Sequence, residues 1–383
     1  MLRVGILVAA LLGSTATASF AAPPHQRAET STAALATVTR VAPTEVCTIS
    51  DERLVEISGL ATTDEGFVAV NDSTDLESRR KIFFLDQRCR VTRTVSYPSL
   101  PRDTEDMAVA RDGTIWIADI GDNDRDRTTV GFWRLASGAK SPVPYRFSYP
   151  DGPHDAEALL LDGDGTPIIV TKDPGLPRLY APEQPPSAGA TVPLRKVGQF
   201  NLPLTRTSNP WSALGRLVVT GGATAPDGSR VVLRTYADAI EFDVTDGKVA
   251  EAVTTGTPRI TPLPDEPQGE SITYSRDGNS FLTVSETVDQ PSSTTATILR
   301  YTPTARSAPS AGVNEPPATG TSAPGEATAS ATAPAAEAAT PEQEEMVGIA
   351  RLIIGIGIGL LVVGTIAVVA ILVTGRRSPR PPR

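Results

Sequence analysis

The acidic stretch IADIGDNDRDR contains four aspartates within eleven residues. Three of them, Asp122, Asp124 and Asp126, have the D-x-D-x-D spacing with which an EF-hand calcium loop begins. The sixth position of that loop is Arg127, where glycine is required, and the twelfth is Trp133, where a bidentate glutamate is required. An EF-hand is therefore excluded, and any cation bound here must take ligands from other parts of the chain.

Carboxylates from several loops offer a second way to bind calcium, which is a large, hard cation. The candidate ligands are acidic residues at the ends of neighbouring apolar runs, namely Glu105, Asp106, Asp119, Asp122 and Glu157. The alternative is a solvated turn, in which aspartates accept backbone hydrogen bonds and pair with Arg125 and Arg127. The sequence leaves both interpretations open.

Catalytic candidates are fewer. His154 and Asp155 are adjacent in YPDGPHDAEALL, and an imidazole there could act as a general base, although a lone loop histidine is commonly structural. The carboxyl candidates for catalysis are Glu105, Glu157 and Glu270. The chain contains no G-x-S-x-G, H-E-x-x-H, Walker or C-x-x-C motif, so the sequence names no nucleophile or phosphate loop.

Five repeated segments must position these residues. Each has a small or acidic start, an apolar run, an Asp/Gly turn, a second apolar run and a polar exit; they are ISGLATTDEGFVAVND, TEDMAVARDGTIWIAD, AEALLLDGDGTPIIVTK, GGATAPDGSRVVLRT and GESITYSRDGNSFLTVSE. Asp-Gly between alternating apolar runs predicts a β-hairpin. A further strand follows each hairpin: KIFFLD, VGFWRL, RLYAP, AIEFDV and TILRY.

The segments start about 50 residues apart, which is typical of a β-propeller with four-stranded blades. We therefore predict an all-β fold with five blades; the alternative is a degenerate sixth blade between Lys172 and Gly221. The strand at residues 46–49 is expected to close the ring beside the last blade.

A propeller would bring the polar ends of the hairpins together, since the first residue of one strand and the last of its antiparallel partner share a sheet edge. If the hairpins are the inner strands, one mouth of the channel collects Ser58, Asp72, Glu105, Asp106, Asp119, Glu157, Lys172, Gly222, Arg234, Glu270 and Glu286. So much charge in one place requires cations, partners or a ligand. Besides the metal candidates, the predicted ligand-binding residues are Asp72, Lys172, Arg234 and Glu286.

The series SGLA…NDS, TEDMAVA…DIGDN, PHDAEALLLD…TK, APDGSRVVLRTY and GESI…SE resembles exported bacterial β-propellers of the actinobacterial type. It is more loosely similar to the esterase-like phytase and SdiA-regulated families. The resemblance implies a propeller with an acidic channel that binds calcium, and it names no activity because fold does not imply function. A calcium-dependent phytase would need several basic residues for phosphate, whereas Lys172 and Arg234 are the basic residues predicted at this mouth.

The two ends of the chain predict an exported, anchored protein. Residues 1–21 have the form of a signal peptide. Residues 22–44 are predicted to be a disordered lead-in, and the predicted propeller follows at 45–304. Residues 305–346 are rich in Ala, Pro and Thr and predict a disordered stalk. An apolar segment at 347–375 predicts one transmembrane helix, and the arginine-rich tail at 376–383 places the C-terminus in the cytoplasm.

Cys47 and Cys89 both lie in the exported region, where an oxidising environment favours a disulfide between them. The formal net charge of −9 argues against nucleic acid as a partner. These observations predict a binding or scaffolding propeller at the cell envelope, whose partner is an envelope protein, a glycan or a small ligand. The alternative function is a metal-dependent hydrolase that acts on an ester or phosphoester in the same mouth.

Overall fold

The computed structural model describes residues 42–291 and 294–305, whose regular secondary structure is almost entirely β-strand. Within these ranges no helix is long and apolar enough to cross a membrane. The predicted signal peptide, stalk, transmembrane helix and basic tail lie outside the described residues, as does the lead-in up to residue 41.

The strands in chain order are β1 (Thr44–Ile49), β2 (Ile57–Thr62), β3 (Gly66–Asn71), β4 (Lys81–Asp86), β5 (Val91–Ser96), β6 (Thr104–Val109), β7 (Ile115–Asp119), β8 (Val130–Leu135), β9 (Val143–Ser148), β10 (Ala156–Leu161), β11 (Pro167–Thr171), β12 (Arg178–Pro182), β13 (Thr191–Gln199), β14 (Gly221–Thr224), β15 (Arg230–Arg234), β16 (Asp238–Asp243), β17 (Arg259–Pro262), β18 (Gly269–Tyr274), β19 (Phe281–Ser285) and β20 (Ala296–Tyr301). A short helix, α1 (Val249–Thr255), packs against β13, β15 and β16. A 3-10 turn lies at Leu214–Arg216.

The strands form antiparallel runs of four: β2 to β5, β6 to β9, β10 to β13, β14 to β17, and β18 to β20 completed by β1. Strands β9 and β13 also pair in parallel, which joins the second and third runs into one eight-stranded sheet. The interval between Lys172 and Gly221 contains β12, β13 and a loop with the 3-10 turn; the described residues there form no further sheet.

The first strands of the runs surround a common axis. Strand β2 contacts β6, β6 contacts β10, β10 contacts β14, β14 contacts β18, and β18 contacts β2. The apolar core is divided among the interfaces between neighbouring runs; one such cluster joins Leu160 and Val170 of the third run to Val231 and Leu233 of the fourth. This radial arrangement, in which each sheet covers its neighbour's apolar face, is that of a β-propeller.

The Asp-Gly pairs form the predicted hairpin turns. The glycines at 113, 165, 228 and 278 all have φ between 71° and 83°, a region that favours glycine. In each turn the preceding aspartate accepts a hydrogen bond from the backbone N–H two residues ahead, as Asp112 Oδ1 does from Thr114 N at 2.9 Å. The turn chemistry thus confirms the hairpins β6–β7, β10–β11, β14–β15 and β18–β19.

The ring is closed by the N-terminal strand, as predicted. Strand β1 pairs with β20 and completes the sheet that contains the last hairpin. The predicted disulfide is confirmed: Cys47 of β1 is bonded to Cys89 in the turn between β4 and β5. The disulfide therefore joins the last sheet of the ring to the first.

Replacing both cysteines, Cys47→Ala with Cys89→Ala, is expected to lower the free energy of unfolding. The disulfide spans 42 residues, and the chain-entropy relation gives about 4 kcal/mol for a loop of that size. Urea unfolding of the oxidised wild type, the reduced wild type and the double variant measures the change. A loss below about 1 kcal/mol would contradict a role in ring closure.

Candidate functional site

Three buried glutamates meet at one end of the central channel. Glu105, Glu157 and Glu270 are each the second residue of a first strand, in β6, β10 and β18. Their carboxylate oxygens lie within 4.8 Å of one another. Residues that are distant in the sequence thus form one compact cluster of oxygen ligands.

Each of the three glutamates lies at a β-bulge in its strand. The pairing register shifts across Glu105, between Thr104 and Asp106, and across Glu157 and Glu270 in the same way. The equivalent position of β2 is Ser58, where the same shift occurs. A bulged residue is left out of the ladder and its side chain is re-aimed. These bulges account for the convergence of the glutamates.

More carboxyls extend this cluster. Asp72 and Asp103 share a second close group with Glu105, and Glu286 is linked to Glu270 through Gln268, whose Nε2 donates to both at 2.6 and 3.2 Å. We call the whole set the acidic mouth: Asp72, Asp103, Glu105, Glu157, Glu270 and Glu286.

Protein donors satisfy only part of the acidic mouth. Lys172 Nζ donates to Glu157 Oε1, and the hydroxyl of Tyr236 donates to Glu270 Oε1 at 3.2 Å. Glu286 is buried, and its Oε1 has no hydrogen-bond partner. Among the described residues, Lys172 is therefore the one cation in an ion pair with the acidic mouth, and its ammonium group contacts Glu157 of the six carboxyls.

Burial and mutual repulsion shift the protonation of these groups. Burial raises the pKa of Glu105 and Glu157 well above the usual range, and neighbouring carboxylates raise that of Glu105 further. Burial, followed by the charge of Asp103, raises the pKa of Asp72 to about 8. Burial, followed by Glu270, raises the pKa of Glu286 to about 11. Carboxyls of this kind hold protons unless a cation replaces them.

Gly121 borders the mouth and belongs to the acidic stretch that follows β7. A Cβ atom at this position would collide with Glu105 Oε1 and Asp103 Oδ2. Glycine therefore leaves the space that the two carboxylates occupy, and the stretch contributes backbone to the site.

The aspartates of that stretch are bonded to the protein. Asp119 accepts from Arg127 Nη2 at 2.8 Å and also from Trp133 Nε1 and from the backbone N–H of Arg102 and of Asp103. Asp122 accepts from the backbone of residues 126 and 127, each at 3.0 Å. Both aspartates are buried and act here as turn-forming acceptors. The structure does not bring them into the group of Glu105, Glu157 and Glu270.

Asp106 lies deeper and connects three first strands. Its Oδ1 accepts from Met107 N at 2.8 Å, and its Oδ2 accepts from Leu159 N of β10 at 2.8 Å and Gly222 N of β14 at 3.1 Å. Burial raises its pKa well above the usual range against the effect of these hydrogen bonds. Asp106 thus holds β6, β10 and β14 together at the axis.

The histidine candidate is hydrogen-bonded to neighbouring side chains. His154 Nε2 lies 3.0 Å from Asp151 Oδ1 and 2.9 Å from the hydroxyl of Tyr180, and its Nδ1 lies 3.3 Å from Arg178 Nη1. Asp155 Oδ1 accepts from the backbone N–H of Asp122 at 2.9 Å. Both ring nitrogens of His154 are therefore engaged within the fold.

Arg234 is fully buried and bonded within the protein, so its guanidinium is not available to a ligand. It donates to Glu266 Oε2 at 3.2 Å and to the carbonyl of Ser271 at 2.8 Å. It ties β15 to the last sheet, so Lys172 is the predicted basic residue that the structure places against the acidic mouth.

Three residues near the acidic mouth are not among the site residues predicted from the sequence. Asp103 precedes β6 and Gln268 precedes β18, and a rule covering the residue just before each first strand would have found both. Trp211 lies in the loop after β13 and stacks on Tyr236, with ring centroids 5.5 Å apart. No sequence pattern connects that loop to the mouth.

A cavity of about 860 Å³ lies at the opposite end of the same strands. It is lined by the hairpin turns, including residues 62–65, 110–114, 162–165 and 225–226. The acidic mouth is therefore separate from this cavity.

No protein-family model and no curated protein sequence matches the chain, so membership of the exported propellers stays a prediction. Similar solved structures are β-propeller enzymes at low identity. They include a PQQ-bound aldose sugar dehydrogenase from Streptomyces coelicolor (12% identity, 67% of this chain, 96% of that one, TM-score 0.36), a gluconolactonase from Xanthomonas campestris (13%, 64%, 72%, 0.36) and virginiamycin B lyase from Staphylococcus aureus (11%, 68%, 74%, 0.32). At these TM-scores the likeness carries no argument about activity.

Asp106→Ala is expected to destabilise the ring, because it leaves three buried backbone N–H groups without an acceptor. An unsatisfied buried donor costs about 1–3 kcal/mol, so a loss of about 3 kcal/mol or more is expected in urea unfolding. The matched control is Asp124→Ala, which removes an exposed aspartate from the acidic stretch. Equal stability of the two variants would contradict the structural role of Asp106.

Proposed function

We propose that this protein is a membrane-anchored, extracytoplasmic β-propeller with five four-stranded blades, which acts as a binding or scaffolding module at the cell envelope. Its acidic mouth binds calcium through Glu105, Glu157 and Glu270. The apolar segment at 347–375 anchors the chain, and the stalk at 305–346 spaces the propeller from the membrane. The partner is an envelope protein, a glycan or a small ligand.

The convergence of the three glutamates is the observation that supports calcium most directly. Their oxygens come within 4.8 Å of one another in a buried setting, and Lys172 alone cannot balance the surrounding carboxyls. Calcium accepts several carboxylate oxygens in a flexible geometry, which suits ligands from three different first strands. The buried, unpartnered Oε1 of Glu286 adds a further acceptor beside the cluster.

Binding is favoured over hydrolysis because the candidate general base has both ring nitrogens bonded within the fold. His154 is held by Asp151, Tyr180 and Arg178, and Lys172 is paired with Glu157. The metal-dependent hydrolase is tested directly with p-nitrophenyl acetate and p-nitrophenyl phosphate. Calcium-dependent turnover that disappears in Glu105→Gln would replace the binding proposal with the hydrolase.

Calcium is expected to raise the thermal stability of the purified full chain after treatment with EDTA. A ligand that binds only the folded state adds about 2.7 kcal/mol at a hundredfold excess over Kd. Glu105→Gln should remove the calcium response and keep at least wild-type stability in EDTA, since it removes a carboxylate from a crowded cluster. The charge-matched control Asp124→Asn should keep the response. A wild-type chain that calcium does not stabilise would refute the metal site.

Calcium affinity is expected to fall as the pH is lowered from about 8 to about 6, because calcium must displace protons from the mouth. Burial raises the pKa of Glu105 and Glu157, and Asp72, with a pKa of about 8, titrates at the upper end of this range. The folded, metal-free chain therefore binds more protons at lower pH, and these compete with calcium. Titration calorimetry in two buffers of different ionisation enthalpy measures the protons released. An affinity independent of pH would contradict this competition.

A further inference from the structure

Trp211 is an exposed tryptophan on a loop beside the acidic mouth. Its side chain is 48% exposed, whereas Trp116 and Trp133 are 8% and 3% exposed. A single exposed apolar side chain is common on protein surfaces, so the position of this indole beside other aromatic and polar groups matters more than its exposure.

Several hydrogen bonds hold the loop that carries Trp211. Asn209 Oδ1 accepts from Trp211 N at 2.9 Å, and Asn209 Nδ2 donates to the carbonyl of Ser212 at 3.0 Å. The hydroxyls of Thr205 and Thr207 both donate to Asp238 of β16, at 2.5 and 2.6 Å. The exposed indole is therefore presented by a loop tied to the propeller.

Tyr236 links this indole to the acidic mouth. The two rings are tilted by 33° with centroids 5.5 Å apart, and the Tyr236 hydroxyl bonds to Glu270 Oε1. An apolar ring face, a phenol and a carboxylate thus follow one another from the solvent into the mouth. This combination offers both a stacking surface and hydrogen-bond acceptors.

We propose that Trp211, Tyr236 and Glu270 form a binding site for a neutral saccharide. The C–H face of a sugar ring packs on an aromatic face, and its hydroxyls donate to carboxylates or coordinate a nearby calcium ion. The excess of carboxyls over Lys172 disfavours phosphorylated or acidic sugars, because like charges repel. This inference deepens the proposed binding function of the mouth, on which it rests, by naming the ligand class.

The test is titration of the full chain, with calcium present, with glucose, galactose, mannose, arabinose, N-acetylglucosamine, maltose and cellobiose. Because Trp211 is the exposed one of the three tryptophans, saccharide binding should change the emission of the chain saturably and protect it from acrylamide quenching. Titration calorimetry gives the affinity independently of the fluorophore. No response to any of these saccharides would overturn the proposal.

Variants then locate the site. Trp211→Ala should weaken binding about two- to tenfold, the equivalent of one lost aromatic contact, and Trp211→Phe should weaken it less because it keeps an aromatic ring against Tyr236. The matched control is Leu204→Ala, which removes another exposed apolar side chain (54%) from the same loop. Equal loss in the Leu204 and Trp211 variants, or unchanged affinity in Trp211→Ala, would overturn the site.

Failure of this inference and failure of the calcium site are separable. Trp211→Ala should keep the full thermal response to calcium, which also verifies that the variant folds. Saccharide binding without any calcium response would support the sugar site and refute the metal site. A calcium response combined with binding of choline, and of no saccharide, would overturn the sugar site in favour of an organic cation.

Discussion

The repulsion among buried carboxyls at one end of the channel is the constraint on which the site depends. A ring of sheets necessarily brings the ends of its first strands together, and here three of those strands carry a glutamate at the same position. The bulges turn these side chains towards one another, so that burial and like charge act on the same groups. Such a cluster is stable only if it holds protons or cations.

The buried acidic residues form two groups, which differ in how many hydrogen-bond donors the protein supplies to their carboxylates. Asp106, Asp119 and Asp122 accept backbone N–H groups or an arginine and serve to connect strands and turns. Glu105 and Glu286, in contrast, have fewer protein donors than oxygens, and burial raises the pKa of both. The first group stabilises the ring, and the second creates the demand for a cation. Composition alone does not separate them, since both consist of carboxylates near strand ends.

The opposite ends of the same hairpins have a different character. There the Asp-Gly turns satisfy their own aspartates through backbone N–H groups and surround a cavity. At the acidic end the loop after β13 brings Trp211 against Tyr236. The propeller therefore has one end made of self-contained turns and one end whose polar and aromatic side chains remain partly unsatisfied.

The sequence by itself determined the hairpins, the strand that follows each of them and the closure of the ring. Alternating apolar runs and Asp-Gly turns specify local structure, and their regular spacing implies a ring, which the pairing of β1 with β20 closes. The Cys47–Cys89 bond followed separately, from two cysteines in a region predicted to be exported. It also placed Glu105, Glu157 and Glu270 at strand starts. Only the tertiary structure decided which carboxyls are left without donors, because that depends on bulges and on contacts between distant loops. For the same reason the role of Asp106 as a link among three strands, and the place of Trp211 beside the mouth, could not be read from any local pattern.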